Sequence, residues 1–495
     1  MNDLKNSIAN ATKWSALAEV AAKLILPIVN MILARLLTPS AFGVVSTVNI
    51  VITFAEIFQD AGFQKYIVQH NFKNYESFEK NANVAFWTNF SLSIVIFLVI
   101  VAFRYDIAII IGSRALYNEV VIASISIPIY SICSIQTAYY RRNFEYKKLF
   151  TVRIITSLIP LFVTVPLAMV CHNHWALIIG TIVRNIAQAI TLYFGAKWKP
   201  SFYYSFKLLR KMLSFCMWTL FESITIWCST NISIFIITRV LGVETVGLFR
   251  TSITTVTSIT SIVTAATTSV LFSALSRVQN DDKALNDLFY GYQQIVSLVV
   301  IPMGIGIFLY RELVTRILLG SQWLQCADFI GAYAVVMSFT IITSYFFSEL
   351  YRAKGKPRIS MIAQLFYLLF SIPAIYFSSR YGFNALCVAS ILSLIWFMFV
   401  HFVIVSQYFS LNLKVVICNI SLVLIPSCVM SIVAYILQTV FSGVLWQFVS
   451  ILICIVVYFT IVLAFRPLRN VVKENDLTAS LYKRIRLKFH GTNSI

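Results

Sequence analysis

Apolar stretches of about 20 residues recur along the whole chain, and each is long enough to cross the hydrocarbon core of a bilayer as a helix. They fall at roughly 13–36, 42–64, 82–103, 117–138, 151–171, 175–196, 212–238, 246–275, 288–309, 327–348, 359–378, 383–406, 414–437 and 443–465. In lipid the backbone must satisfy its own hydrogen bonds, so runs of this length fold as helices. Composition agrees, with 59% hydrophobic and 12% charged residues where a soluble domain averages about 25% charged. The sequence therefore predicts an all-α integral membrane protein with about 14 transmembrane helices. The first apolar run reaches spanning length with no A-x-A-like site ahead of mature sequence, so no cleavable signal is expected.

The chain carries 39 Lys and Arg against 19 Asp and Glu, a net charge of +20. Distributed over the loops between those runs, 29 of the basic residues fall on the side of the N-terminus and 7 on the other, and Lys23, Arg184 and Arg250 lie inside runs. Such a bias orients a membrane protein with its basic loops inside. Both termini are therefore expected in the cytoplasm, and the charge needs no nucleic acid to explain it. The nine cysteines are scattered without a C-x-x-C pair. The "CHNH" cluster around His172 and His174 is too tight and lacks a fourth ligand. Neither a metal nor a cofactor is expected.

The chain also repeats itself. "LARLLTPSAFGVV" at 33–45 returns as "ITRVLGVETVGLF" at 237–249, pairing Arg35 with Arg239, Leu37 with Leu241 and Gly43 with Gly247, each 204 residues apart. "YYRRNFEYKK" at 139–148 returns as "LYRAKGKPR" at 350–358. Two six-helix lobes are implied, 1–200 and 201–410, followed by two further spans in 411–465 and a basic cytoplasmic tail in 466–495. Because both halves start on the same side, the repeats are parallel, related by a pseudo-twofold axis along the membrane normal, with a cavity between lobes that rock.

Polar side chains recur at spacings of three and four within particular spans, which keeps them on one helix face. The first span places Glu19 and Lys23 so, the second Asn49, Thr53 and Glu56, the sixth Thr181, Arg184 and Gln188, and the seventh Glu222. The eighth carries Arg250, Thr254, Thr257 and Ser261, whereas the last two spans hold no charge. A charge at the bilayer centre costs about 2.5–3.5 kcal/mol even on insertion scales, so these groups are expected around a hydrated cavity. Glu349, beside Arg352, reads instead as an interfacial ion pair.

Six segments, "LARLLTPSAFGVV…FAEIFQDAGFQKYIVQ", "QTAYYRRNFEYKKLF", "WALIIG", "ITRVLGVETVGLF", "VLFSALSRVQND" and "LYRAKGKPR", together resemble the Wzx-type polysaccharide-transporter flippases of the multidrug/oligosaccharidyl-lipid/polysaccharide exporter superfamily. The resemblance implies transport of undecaprenyl-diphosphate-linked oligosaccharide across the bacterial inner membrane during O-antigen, capsule or exopolysaccharide synthesis. It also implies working beside a polysaccharide polymerase and a chain-length regulator. It carries no site residues over.

The charges supply their own candidates. A diphosphate calls for cations, here Arg250 first, then Lys23 and Arg184. The carboxylates Glu19, Glu56 and Glu222 suit proton or cation coupling, as a drug antiporter of the same superfamily would need, with Asn49, Thr254, Thr257 and Ser261 as polar lining. An enzyme is not expected: a glycan polymerase or ligase would carry paired acids on a large outer loop. The one adjacent acidic pair, Asp281–Asp282, lies on the cytoplasmic side, and no P-loop is present for ATP hydrolysis.

Overall fold

The computed structural model describes residues 25–469 except 61, 71, 73, 196, 197, 441 and 442, and at a few helix positions, Glu222 among them, the backbone alone. The described secondary structure is helical throughout. Among the described residues, twelve helices are long and apolar enough to cross a membrane, and two shorter apolar stretches, Ile25–Leu36 and Thr230–Leu241, stand where the first and seventh spans are expected. In chain order these are α1 (Ile25–Leu36), α2 (Pro39–Asp60), α3 (Tyr75–Ala102), α4 (Arg114–Arg142), α5 (Tyr146–Cys171), α6 (Trp175–Gly195) and α7 (Phe206–Leu241). There follow α8 (Val243–Arg277), α9 (Asp282–Leu309), α10 (Ser321–Ala353), α11 (Pro357–Ser379), α12 (Phe383–Tyr408), α13 (Leu413–Val440) and α14 (Val444–Ala464). Exposed Leu, Ile, Val and Phe side chains along them are what lipid, rather than water, tolerates.

Two compact units result, one of residues 1–251 with 375–386 and one of residues 252–374 with 387–495. In the first, α2 packs on α3, α4 and α7 over a core that includes Val44, Val48, Ile52, Val120, Ile127 and, from α6, Ile178. α4 is broken at Ile125, because Pro128 has no N–H to return to the Ser124 carbonyl. α7 is held to α2 by Trp227, whose indole N–H donates to Thr53 Oγ1 at 2.9 Å while its ring meets Phe54 with centroids 4.8 Å apart. In the second unit, α9 packs on α10 and α13, and the Tyr458 hydroxyl donates to the Leu298 carbonyl at 2.9 Å. At the end of α10, Arg352 Nη1 donates to Glu349 Oε1 at 2.9 Å, the interfacial pair expected.

The repeat extends into backbone detail. α3 and α9 are each opened by a side-chain cap, Asn74 accepting from the Ser77 N–H and Asp281 from those of Lys283 and Ala284. α3 ends with the Phe103 N–H on the Val99 carbonyl and α9 with the Tyr310 N–H on the Gly306 carbonyl, 207 residues on. α4 closes with a bond from the Glu145 N–H to the Tyr140 carbonyl around Phe144 in the left-handed region. α10 closes with the same bond, Lys356 to Tyr351, around Gly355, each residue 211 further along. This is the Schellman pattern that satisfies the orphan carbonyls of a helix end.

Candidate functional site

α2, α4 and α6 enclose a cavity of about 360 Å³ inside the first unit. α2 contributes Asn49, Thr53 and Glu56, and α6 contributes Thr181, Arg184 and Gln188. These are the two stripes expected from spacing, brought face to face. α4 supplies Ser126 and Tyr130, and α6 adds Asn185, which the spacing argument missed because it lies one residue off its stripe. The apolar part of the wall, Val48, Ile52 and Ile178, belongs to the core beneath.

What distinguishes this cavity is its hydrogen bonding. Thr53 Oγ1 donates to the Asn49 carbonyl at 2.6 Å as well as accepting from Trp227, and Thr181 donates to the Leu177 carbonyl at 2.9 Å. Those hydroxyls are occupied. By contrast, the side chains of Asn49, Glu56, Arg184, Asn185 and Gln188 make no hydrogen bond to protein among the described residues. Asn49 is exposed, Glu56, Arg184 and Gln188 are half-buried and Asn185 is buried. None of their polar atoms is sealed off without a partner, so these groups are open to what enters the cavity. Glu56 and Arg184 feel each other's charge, yet they form no direct ion pair among the described residues. Each keeps its hydrogen-bonding capacity for what enters.

The remaining candidates lie elsewhere. Arg250 is exposed on α8 and does not line this cavity. Thr254, Thr257 and Ser261 are half-buried further along α8, in the second unit. Thr257 and Ser261 donate to the carbonyls of Ile253 and Ser258, both at 2.8 Å, which leaves only their lone pairs for a ligand. Glu19 and Lys23 lie outside the described residues, as does the side chain of Glu222.

The second unit holds a cavity of opposite character, about 410 Å³, walled by α9, α13 and α14. Its lining includes Pro302, Met303, Met430, Ile455 and Phe459, and Gly306 leaves open space where a side chain would stand.

Comparison with known proteins agrees with this architecture. Residues 32–328 match the family described as "Polysaccharide biosynthesis protein". An uncharacterized membrane protein in the cps region of Klebsiella pneumoniae is 24% identical, over 76% of this chain and 77% of its own. The lipopolysaccharide biosynthesis protein WzxC of Escherichia coli (strain K12) is 23% identical, over 75% of each chain. Among solved structures, the lipid II flippase MurJ in an inward closed conformation superposes with a TM-score of 0.74 at 16% identity, covering 92% of this chain and 98% of its own. An inward-facing multidrug resistance MATE family transporter superposes with a TM-score of 0.57 at 12% identity, over 78% and 96%. These two likenesses establish the fold. The family match extends over more than half of the sequence, and the chain belongs to the polysaccharide biosynthesis protein family.

Proposed function

We propose that this protein flips a lipid-linked oligosaccharide across the bacterial inner membrane for surface polysaccharide synthesis. The carrier we infer is undecaprenyl diphosphate. The observation that carries the reading is the polar cavity among α2, α4 and α6, with Arg184 at its wall making no hydrogen bond among the described residues. A diphosphate crossing a bilayer needs charge-assisted hydrogen bonds, and a guanidinium with all its donors uncommitted offers them. The relative named for lipopolysaccharide biosynthesis supports the same substrate class.

In this reading two six-helix lobes, 1–200 and 201–410, rock to alternate access, with both termini in the cytoplasm. Arg250 and Lys23 are further cations on the diphosphate path. A polymerase and a chain-length regulator act on the flipped product. Glu56, in the same cavity as Arg184, favours a cation-coupled cycle and is also what a drug antiporter of this fold would use.

Replacing Arg184 by Ala should abolish surface polysaccharide in a strain lacking the native copy, with membrane abundance unchanged, and Arg184→Lys should retain part of it. If Arg184 serves only to neutralise Glu56, the double variant Arg184→Gln/Glu56→Gln will restore export, because an uncompensated charge was the sole defect. Full rescue would remove Arg184 from the substrate path. Drug resistance conferred without any effect on surface glycan would favour the antiporter.

A further inference from the structure

Where α3 and α7 begin, an open cavity of about 430 Å³ has Lys80, Lys207, Lys211, Glu76, Tyr203 and Ser205 in its lining. Tyr203 and Ser205 come from the connection between α6 and α7, which is clamped onto α3. The Ser201 N–H donates to Asn83 Oδ1 at 3.0 Å, and Asn83 Nδ2 donates back to Ser201 Oγ at 2.7 Å. The Trp87 indole N–H donates to the Ser201 carbonyl at 2.9 Å, and Phe202 stacks on the Trp87 ring with centroids 4.8 Å apart. Lys80, Asn83 and Trp87 follow one another at spacings of three and four, so one face of α3 carries both the pocket and the clamp.

The pocket's charge is unbalanced. Three lysines face one carboxylate, Glu76, and Lys80 takes it. The Lys207 and Lys211 ammonium groups make no ion pair or hydrogen bond among the described residues, nor do the Tyr203 and Ser205 hydroxyls make a hydrogen bond there. Two cations are left for an anion, and depth says where it comes from. The apolar runs of the two helices begin near 82 and 212. At about 1.5 Å per residue, Lys80, Lys211 and Lys207 stand about 3, 2 and 8 Å outside the hydrocarbon. The headgroup layer is about 5–8 Å thick on each face of a bilayer. Phe202 and Phe206, 94% and 79% exposed, flank the Tyr203–Ser205 stretch, as aromatic side chains do at the boundary of headgroups and acyl chains.

We propose that this pocket binds the headgroup of an anionic phospholipid of the surrounding membrane, phosphatidylglycerol, at a site separate from the transport cavity. Lys207 and Lys211 hold its phosphate as point charges. The Tyr203 and Ser205 hydroxyls meet the hydroxyls of the glycerol headgroup, and Phe202 and Phe206 lie beside the acyl chains. Basic clusters just outside a span attract anionic lipid, and basic pockets between spans hold phospholipid headgroups. Lys80 lines the pocket from α3, and Lys207 and Lys211 line it from the first turns of α7. Bound lipid therefore fastens the start of α7 to α3, whatever cargo the transporter carries.

The test uses the full-length protein in phosphatidylcholine nanodiscs, with phosphatidylglycerol as the probe. Native mass spectrometry reads bound lipid, and thermal unfolding reads its effect. The native protein should retain the probe and unfold at a higher temperature when it is present. A lysine near an anionic surface is worth about fivefold in affinity. Lys207→Gln/Lys211→Gln, at two exposed positions, should therefore weaken binding about twentyfold or more and remove the thermal gain. Lys207→Arg/Lys211→Arg should keep most of both, and Phe202→Ser should show a smaller loss in the same direction. Undiminished binding by the double Gln variant would overturn the proposal. So would an equal loss in Lys283→Gln/Lys414→Gln, which removes two exposed lysines from the second unit and would reveal diffuse surface attraction. Free glycerol phosphate binding as tightly as the lipid would make this a site for a soluble phosphate. Displacement of the probe by an equal amount of undecaprenyl phosphate would make it part of the cargo path, and either result would defeat the assignment.

Discussion

Glu119, near the start of α4, rests one carboxylate oxygen on His174 Nε2 at 3.1 Å and buries the other without a partner. Its side chain is only 11% exposed. His174→Ala should therefore strand a buried carboxylate and lower stability by about 1–3 kcal/mol. Thermal unfolding of the purified protein reads the loss, and adding Glu119→Gln should recover part of it. A midpoint unmoved by His174→Ala would mean that water replaces the ring at no cost. The sequence alone signalled the polar cavity better than this pair. Asn49, Glu56, Arg184 and Gln188 announce themselves by three- and four-residue spacing inside apolar runs, which only a shared helix face explains. Tyr130 and Asn185 gave no such signal, because periodicity ranks residues on one helix and is silent on which faces meet. The threonine stripe of α8 is the converse case: hydroxyls bonded to their own helix obey the same spacing as hydroxyls awaiting a ligand.

At the scale of elements, the repeated motif proves to be a place where two helices touch. Pro39 and Val243, 204 residues apart, are the first residues of α2 and α8. A Cβ added at Gly43 would fall into the Val243 carbonyl, and one added at Gly247 would fall into the Pro39 carbonyl. Each added atom would also stand 3.0 Å from the other glycine's nitrogen. Small residues let helix backbones approach this closely in a membrane, and here the backbones themselves are the contact. Gly43→Ala and Gly247→Ala should each destabilise by about 1–3 kcal/mol, the usual cost of overpacking. Because both report on one crossing, the double variant should cost less than the sum of the two. Strict additivity in thermal unfolding would show the contacts to be independent. The sequence revealed that these glycines correspond. It could not reveal that they meet, since correspondence within a repeat does not imply contact.

For the whole molecule, the hydropathy pattern carried most of what the fold shows, because a bilayer leaves so few backbone solutions. The charge bias predicts that Lys147 and Lys356 face the cytoplasm, so in a background with all nine native cysteines replaced, Lys147→Cys and Lys356→Cys should resist an impermeant thiol reagent applied outside. Labelling of intact cells at either position would reverse the topology. Helix ends, by contrast, were blurred in the sequence: α7 runs for 36 residues, longer than its apolar run suggested, because a helix continues past the lipid boundary wherever its backbone bonds do. The reciprocity at Gly43 and Gly247 has a bearing on ancestry. A contact in which one motif presents its glycine to the other's first carbonyl, and receives the same in return, is isologous, the kind by which identical subunits pair. A gene encoding one copy of that motif would already have specified a homodimer, and joining two copies end to end would have preserved the seam while freeing each half to acquire its own charges.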